Sequence, residues 1–163
     1  MFDTNIFNHI LDGDIDITDL ADRASFCVTH IQRDELNNTK DVERRARLVR
    51  VFEAPIQNHV PTESFVLDTS RLGEAKLGGE NILSTASAVY GVSKYGRAKY
   101  TAEDNLYTPI KSRFDQVNRN KPDSVQDASI AETAIKNNHT LITQDSDLNK
   151  VATEFGGACA NFA

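Results

Sequence analysis

The amino-acid sequence predicts an α/β fold built on a parallel sheet, and three observations carry that reading. Short apolar runs, such as SFCVTH at residues 25–30 and HTLIT at residues 139–143, suit strands buried on both faces. Between them lie longer segments whose apolar residues recur at three- and four-residue steps, the period of an amphipathic helix. The two kinds of segment alternate along the chain, as a parallel sheet with helical crossovers requires.

Each element has its own justification. Residues 1–3 are a very short apolar start, followed by a helix with Phe7, Ile10 and Leu11 on one side. Residues 18–23 read as a short second helix capped by Thr18. SFCVTH is the second strand, and Thr29 caps a helix running to about Asn38. Residues 40–53 form a strongly charged helix with Val42, Leu48, Val49 and Phe52 as its apolar positions. Residues 54–64 carry Pro55 and Pro61 and read as a connection. SFVLD at 64–68 is the third strand, and residues 68–79 form a helix stopped by Gly78-Gly79. Residues 80–100 are rich in Ser, Ala, Gly and Tyr and show no firm period. A helix over 102–120 carries Leu106, Ile110, Phe114 and Val117 and ends before Pro122. Asp123 caps a helix over 124–137, HTLIT is the fourth strand, and a last helix over 147–155 ends at Gly156-Gly157.

The chain of 163 residues is the size of one domain and long enough for a core without disulfides. No repeat or linker divides residues 1–163. No apolar stretch approaches the roughly 18 residues that a membrane span needs. The opening MFDTNIF lacks the basic and apolar regions of a secretory signal, so a cytoplasmic location is expected. Cys27 and Cys159 form no metal-binding spacing with His9, His30, His59 or His139. Cys27 reads as a small buried hydrophobe.

The net charge is −6, which alone argues mildly against a nucleic-acid partner. Its distribution is more informative. Residues 1–20 hold five acids and no Lys or Arg, whereas residues 94–121 hold a local net of +4. A second basic cluster, Lys40, Arg44, Arg45, Arg47 and Arg50, lies in the charged helix.

Open parallel sheets bind ligands beyond the carboxyl ends of their strands. That rule selects Asp3 after the first strand and Asp145 after the fourth, with Glu35 on the helix leaving strand two. Asp127 lies in the first turn of the helix feeding strand four, on the same side as Ile130, Ala131 and Ala134. A carboxylate beside such a stripe is partly buried, which costs several kcal/mol unless it is paired or binds a metal. Each acid also has an ordinary role open to it. Asp3 and Asp145 can cap helices, Asp127 can serve a helix dipole, and Glu35 can sit on a helix surface.

The ordered set resembles the PIN-domain ribonucleases, and in particular the VapC-type toxins. The matching pieces are FDTN at 2–5, Glu35 on the second-strand helix, DASIAETA at 127–134 and LITQDSDL at 141–148. The resemblance implies a three-layer fold with a central parallel sheet flanked by helices. It also implies an Mg²⁺- or Mn²⁺-dependent endoribonuclease in which Asp3, Glu35, Asp127 and Asp145 serve the metal and catalysis. Thr4, Asn5, Thr143 and Asp147 would support them. A homodimer and a small antitoxin protein covering the acidic groove are further implications. About 60 residues separate SFVLD from Asp127, longer than a compact toxin of this kind, so an insertion is expected around 80–100.

Clustered carboxylates repel one another, and a hard divalent cation removes that repulsion. Such an ion activates water for attack on a phosphodiester and offsets charge on the leaving oxygen. Arg44, Arg45, Arg47, Lys94, Arg97, Lys99, Arg113 and Arg119 are candidate RNA phosphate contacts, with solvated helix faces as the plainer alternative. Tyr90, Tyr95 and Tyr100 lie among them and could stack on unpaired bases. A DNA-directed nuclease of the same superfamily, a non-catalytic binding module and a response-regulator-like domain are the other readings. The last lacks a convincing lysine.

Overall fold

In the computed structural model the described residues are 1–16, 24–53, 57–76, 82–83, 106–117 and 124–161. Among them the fold is mixed α/β, with six helices and three short parallel strand pairs. Helix α1 spans Thr4–Asp12, strand β1 Phe26–Val28, α2 His30–Asn37 and α3 Val42–Phe52. Strands β2 (Gln57–His59), β3 (Phe65–Val66) and β4 (Ile82–Leu83) follow. Then come α4 (Tyr107–Val117), α5 (Ser124–Lys136), β5 (Leu141–Ile142), α6 (Ser146–Glu154) and β6 (Cys159–Ala160). None of these helices is long and apolar enough to cross a membrane.

Local chemistry explains where the helices begin and end. Asp3 caps α1, Thr29 caps α2, Asp41 caps α3 and Asp145 caps α6, each through its own side-chain oxygen. Pro109 falls in the first turn of α4, where its missing N–H costs nothing. Gly13 closes α1 at φ +84, and Asn138 follows α5 at φ 53; glycine and asparagine tolerate this left-handed geometry best.

Residues 1–3 tie two of the strand pairs together. Strand β1 pairs with β2, and β5 with β6, both parallel. Between them, Phe2 N–H donates to Cys27 O (3.0 Å) on one side. On the other side Asp3 N–H donates to Ile142 O (2.9 Å), and Ile142 N–H donates to Met1 O (2.8 Å). Phe2 and Ile142 form a parallel bridge. The hydrogen-bonded order is therefore β2, β1, residues 1–3, β5, β6.

Side chains of these extended segments divide between two apolar clusters, as strand alternation demands. Met1, Cys27 and Leu141 join Tyr107, Ile110 and Phe114 of α4, Ile130 and Ala134 of α5, and Leu148 and Val151 of α6. Phe2, Phe26 and Val28, with Ile142 packed against them, join Ile6 and Phe7 of α1 and Leu48 and Phe52 of α3. The second cluster is strongly aromatic: Phe2 stacks on Phe26 at 4.9 Å, and Phe7 meets Phe2 edge-on at 5.9 Å.

The structure departs from the sequence reading in the middle of the chain. Residues 54–64 are not merely a connection, because Gln57–His59 forms β2 alongside β1. Its polar composition hid it; an edge position tolerates such residues. The third strand is shorter than expected and pairs with Ile82–Leu83 rather than with the strands around Asp3. Residues 68–76 form turns, not the first part of a helix. Asp68 at φ 68 and Gly73 at φ +86 are left-handed positions that no α-helix accommodates, and Ala75 bridges to Thr62 and Leu72. The expected helix at 18–23 and the expected insertion around 80–100 lie outside the described residues, apart from the short β4.

Candidate active site

A sheet changes winding direction where successive crossovers leave on opposite faces, and the crevice there receives ligands. In this chain that place lies between residues 1–3 and β5. Helix α1 leaves residue 3 toward the aromatic cluster, and α6 leaves β5 toward the other cluster. Asp3 and Asp145 stand on the two sides of that point.

Asp3 is buried, at 6% exposure. One carboxylate oxygen accepts from its neighbour's Thr4 N–H (2.6 Å), and the other from the Thr143 hydroxyl (2.7 Å). Burial pushes its pKa above the ordinary 3.8, against the two hydrogen bonds, and the nearby Asp145 charge pushes it further. Desolvation dominates, so the site holds a carboxylate that is unwelcome as an anion.

Thr143 links the two acids. Its buried hydroxyl donates to Asp3 and accepts from Asp145 N–H (2.9 Å). Asp145 in turn caps α6, one oxygen accepting from Asp147 N–H (2.8 Å) and Leu148 N–H (3.0 Å). Asp147 thus meets Asp145 through its backbone. Glu35 is joined from the other side: the Thr4 hydroxyl donates to its carboxylate. Asp3, Thr4, Glu35, Thr143 and Asp145 form one connected polar chain drawn from three stretches of the sequence. Asn5, one residue on, has a side-chain oxygen buried with no hydrogen-bond partner.

Asp127 lies in the first turn of α5, half-buried, with Ile130, Ala131 and Ala134 buried on its side as expected. Its neighbour Gln126 lines a cleft of about 130 Å³ together with Asp34, Glu35, Asn38, Asp68 and Thr69. Asp127 shares the first turn of α5 with Gln126 of that cleft. Among the described residues, no group of three or more His, Cys, Asp or Glu side chains is gathered closely enough to hold a metal ion.

Comparison with family models, curated proteins and solved structures gives no match for the chain. The site is therefore read from its own chemistry. Its donors are all oxygens, the set that a hard divalent cation prefers. Mg²⁺ keeps several waters and needs only one or two protein carboxylates. The pair Asp3 and Asp145, one of them destabilised as an anion by burial, matches that demand.

The basic residues fare unevenly. Arg44 is engaged, its guanidinium donating to both carboxylate oxygens of Asp12 (2.9 and 2.7 Å) and to Asn8. Arg113 grips both oxygens of Glu154 (2.6 and 2.9 Å) and so joins α4 to α6. Arg45 is half-buried and reaches Thr39 O, while Arg47 is exposed. Lys94, Arg97, Lys99 and Arg119 lie outside the described residues, as do Tyr90, Tyr95 and Tyr100.

Sequence reading missed the cleft residues Asp34, Asp68 and Gln126. Asp34 and Gln126 adjoin Glu35 and Asp127, and that adjacency was the available signal. Asp68 carried none, since its place depends on the turn at 67–76. Within that turn, Arg71 pairs with Asp34 (3.0 Å), and Glu74 pairs with Arg33 (2.5 Å).

Proposed function

We propose that the chain is a metal-dependent endoribonuclease with a PIN-like three-layer fold, its site centred on Asp3 and Asp145. One observation carries the reading: at the sheet's switch point the Thr143 hydroxyl binds the Asp3 carboxylate and the Asp145 backbone N–H, and the Asp145 charge lies near enough to act on Asp3. The three layers rest on the division of strand side chains between two helix-covered clusters.

Asp3 and Asp145 would hold Mg²⁺ or Mn²⁺, with Glu35 and Asp127 binding through water or serving a second ion. When bound, the ion supplies an activated water and offsets charge on the leaving oxygen. The chain's own residues do the rest. Thr143 orients the Asp3 carboxylate, and Thr4 orients Glu35 by the same kind of bond. The isolated Asp3 anion is costly in its buried place, and a bound cation would offset that cost. The exposed Arg47 is a candidate phosphate contact. The VapC-type resemblance adds a homodimer and a small antitoxin protein to the proposal.

Matched RNA and DNA oligonucleotides incubated with Mg²⁺ or Mn²⁺ test the reading. The wild type should cut the RNA, and Asp3→Asn should lower the rate by at least about a hundredfold while keeping the circular dichroism spectrum. Cutting of DNA in preference to RNA would replace the substrate. A second reading, a non-catalytic module on the same fold, is favoured by one fact: Asp3 and Asp145 each cap a helix. Absence of both metal binding and cleavage in the wild type would select it.

A further inference from the structure

Gln32 is fully buried, uncharged and in the first turn of α2, yet it touches the segment that carries Asp3. Its side-chain oxygen accepts from Thr29 N–H (2.8 Å) and from the Thr29 hydroxyl (2.6 Å). Its side-chain nitrogen donates to Phe2 O (2.7 Å). A parallel ladder that begins with Phe2 N–H bonding Cys27 O would continue with Thr29 N–H bonding Phe2 O. Instead, Thr29 N–H stops at the Gln32 oxygen, and the Gln32 nitrogen completes the path to Phe2 O.

We propose that the Gln32 amide is an inserted rung of the sheet, and that it is a positioning residue for the Asp3–Thr4–Glu35 unit. The inserted amide parts residues 1–3 from the end of β1 by the width of a side chain, and α2 starts in the gap. It also fixes the peptide unit that precedes Asp3. The Phe2 carbonyl is held by Gln32, and the Asp3 N–H of the same peptide is held by Ile142 O. With both ends of that plane bound, the direction of the Asp3 side chain is set. Gln32 and Glu35 are three residues apart on α2, so the same amide sets how far Glu35 stands from Thr4. The consequence for catalysis rests on the nuclease reading; the positioning itself does not.

Three variants separate this role from ordinary helix capping. Gln32→Glu keeps an acceptor for Thr29 and loses the donor to Phe2 O. Gln32→Met loses both and keeps the bulk, which covers the case in which a buried charge prevents folding. Thr29→Val removes the capping hydroxyl and leaves the Gln32–Phe2 bond intact. Backbone amide resonances of Thr4 and Glu35, Mn²⁺ affinity from water-proton relaxation, and kcat against KM on RNA are the measurements. Gln32→Met should displace both resonances, weaken Mn²⁺ binding by about 10–100-fold and lower kcat with KM unchanged. Thr29→Val should leave the two resonances in place and Mn²⁺ affinity within about twofold, by contrast with that loss. Unmoved resonances in Gln32→Met, or equal displacement in Thr29→Val, would overturn the proposal. A wild type that binds no Mn²⁺ would sink the nuclease reading alone, since the resonances still decide the positioning.

Discussion

Asp3 does two things that the sequence offered as alternatives. It caps α1, and it sits buried against Thr143 in the candidate site. The two roles coexist because a carboxylate has two oxygens, and each takes one donor. The cost appears in its raised pKa. A group that holds its proton longer in the folded state than in the unfolded one makes stability fall as pH rises through that interval. The fall begins at the ordinary value of 3.8 and is complete above the raised one. Urea midpoints measured across this range should decline with rising pH in the wild type more than in Asp3→Asn, which cannot ionise. Parallel curves for the two proteins would show that Asp3 is not held in this state. Glu132 poses a similar question away from the site. It is fully buried, neither oxygen has a well-aligned hydrogen bond, and Lys136 Nζ lies 3.0 Å from one of them. The desolvation cost of a buried ion pair can exceed the attraction between its members. Glu132→Met should raise stability by about 1–2 kcal/mol, read from chemical denaturation. Lys136 is partly exposed and can regain water when its partner goes.

At the level of elements, the turn between α6 and β6 is tightly constrained. Gly156 has φ +84, and Gly157 donates its N–H to Ala152 O (2.8 Å). A Cβ on Gly157 would meet Ala152 O and Ile135 Cγ1, each at 2.9 Å. The first contact is backbone and cannot swing aside. Gly157→Ala should therefore cost about 1–3 kcal/mol, seen as a lower thermal midpoint. This glycine pair was legible in the sequence as a helix stop, because a helix end is a local matter. So were α1, α2, α3 and α6, whose caps and apolar spacing lie within a few residues, and α4 and α5, whose apolar spacing does; the expected cap Asp123 lies outside the described residues. Strand β2 and the turns at 67–76 were not. Gln57–His59 is polar, and its strand character comes from the β1 edge it lies against. The turns depend on left-handed positions and on Arg71 and Glu74 reaching across to α2.

For the whole molecule, the two apolar clusters share the same extended segments and should fail together. Phe52 belongs to one and Phe114 to the other, and both are fully buried. Phe52→Ala and Phe114→Ala should each destabilise by about 3–5 kcal/mol in one cooperative transition. Two separated transitions in either variant would mean that the clusters fold independently.

Local pattern named the candidate acids because each sits at a strand end or in an adjoining helix, and such places follow from short-range periodicity. It also placed Asp127 on the buried side of its helix. Folding of distant segments chose which acids meet. Residues 3 and 145 come together only because residues 1–3 lie between β1 and β5, a pairing of segments far apart in the chain. The same packing set Gln126 beside Asp34 and Glu35 in one cleft and occupied Arg44 and Arg113 with carboxylate partners. Hydrogen bonds and desolvation depend on which groups are neighbours in space, and no spacing along a chain encodes that.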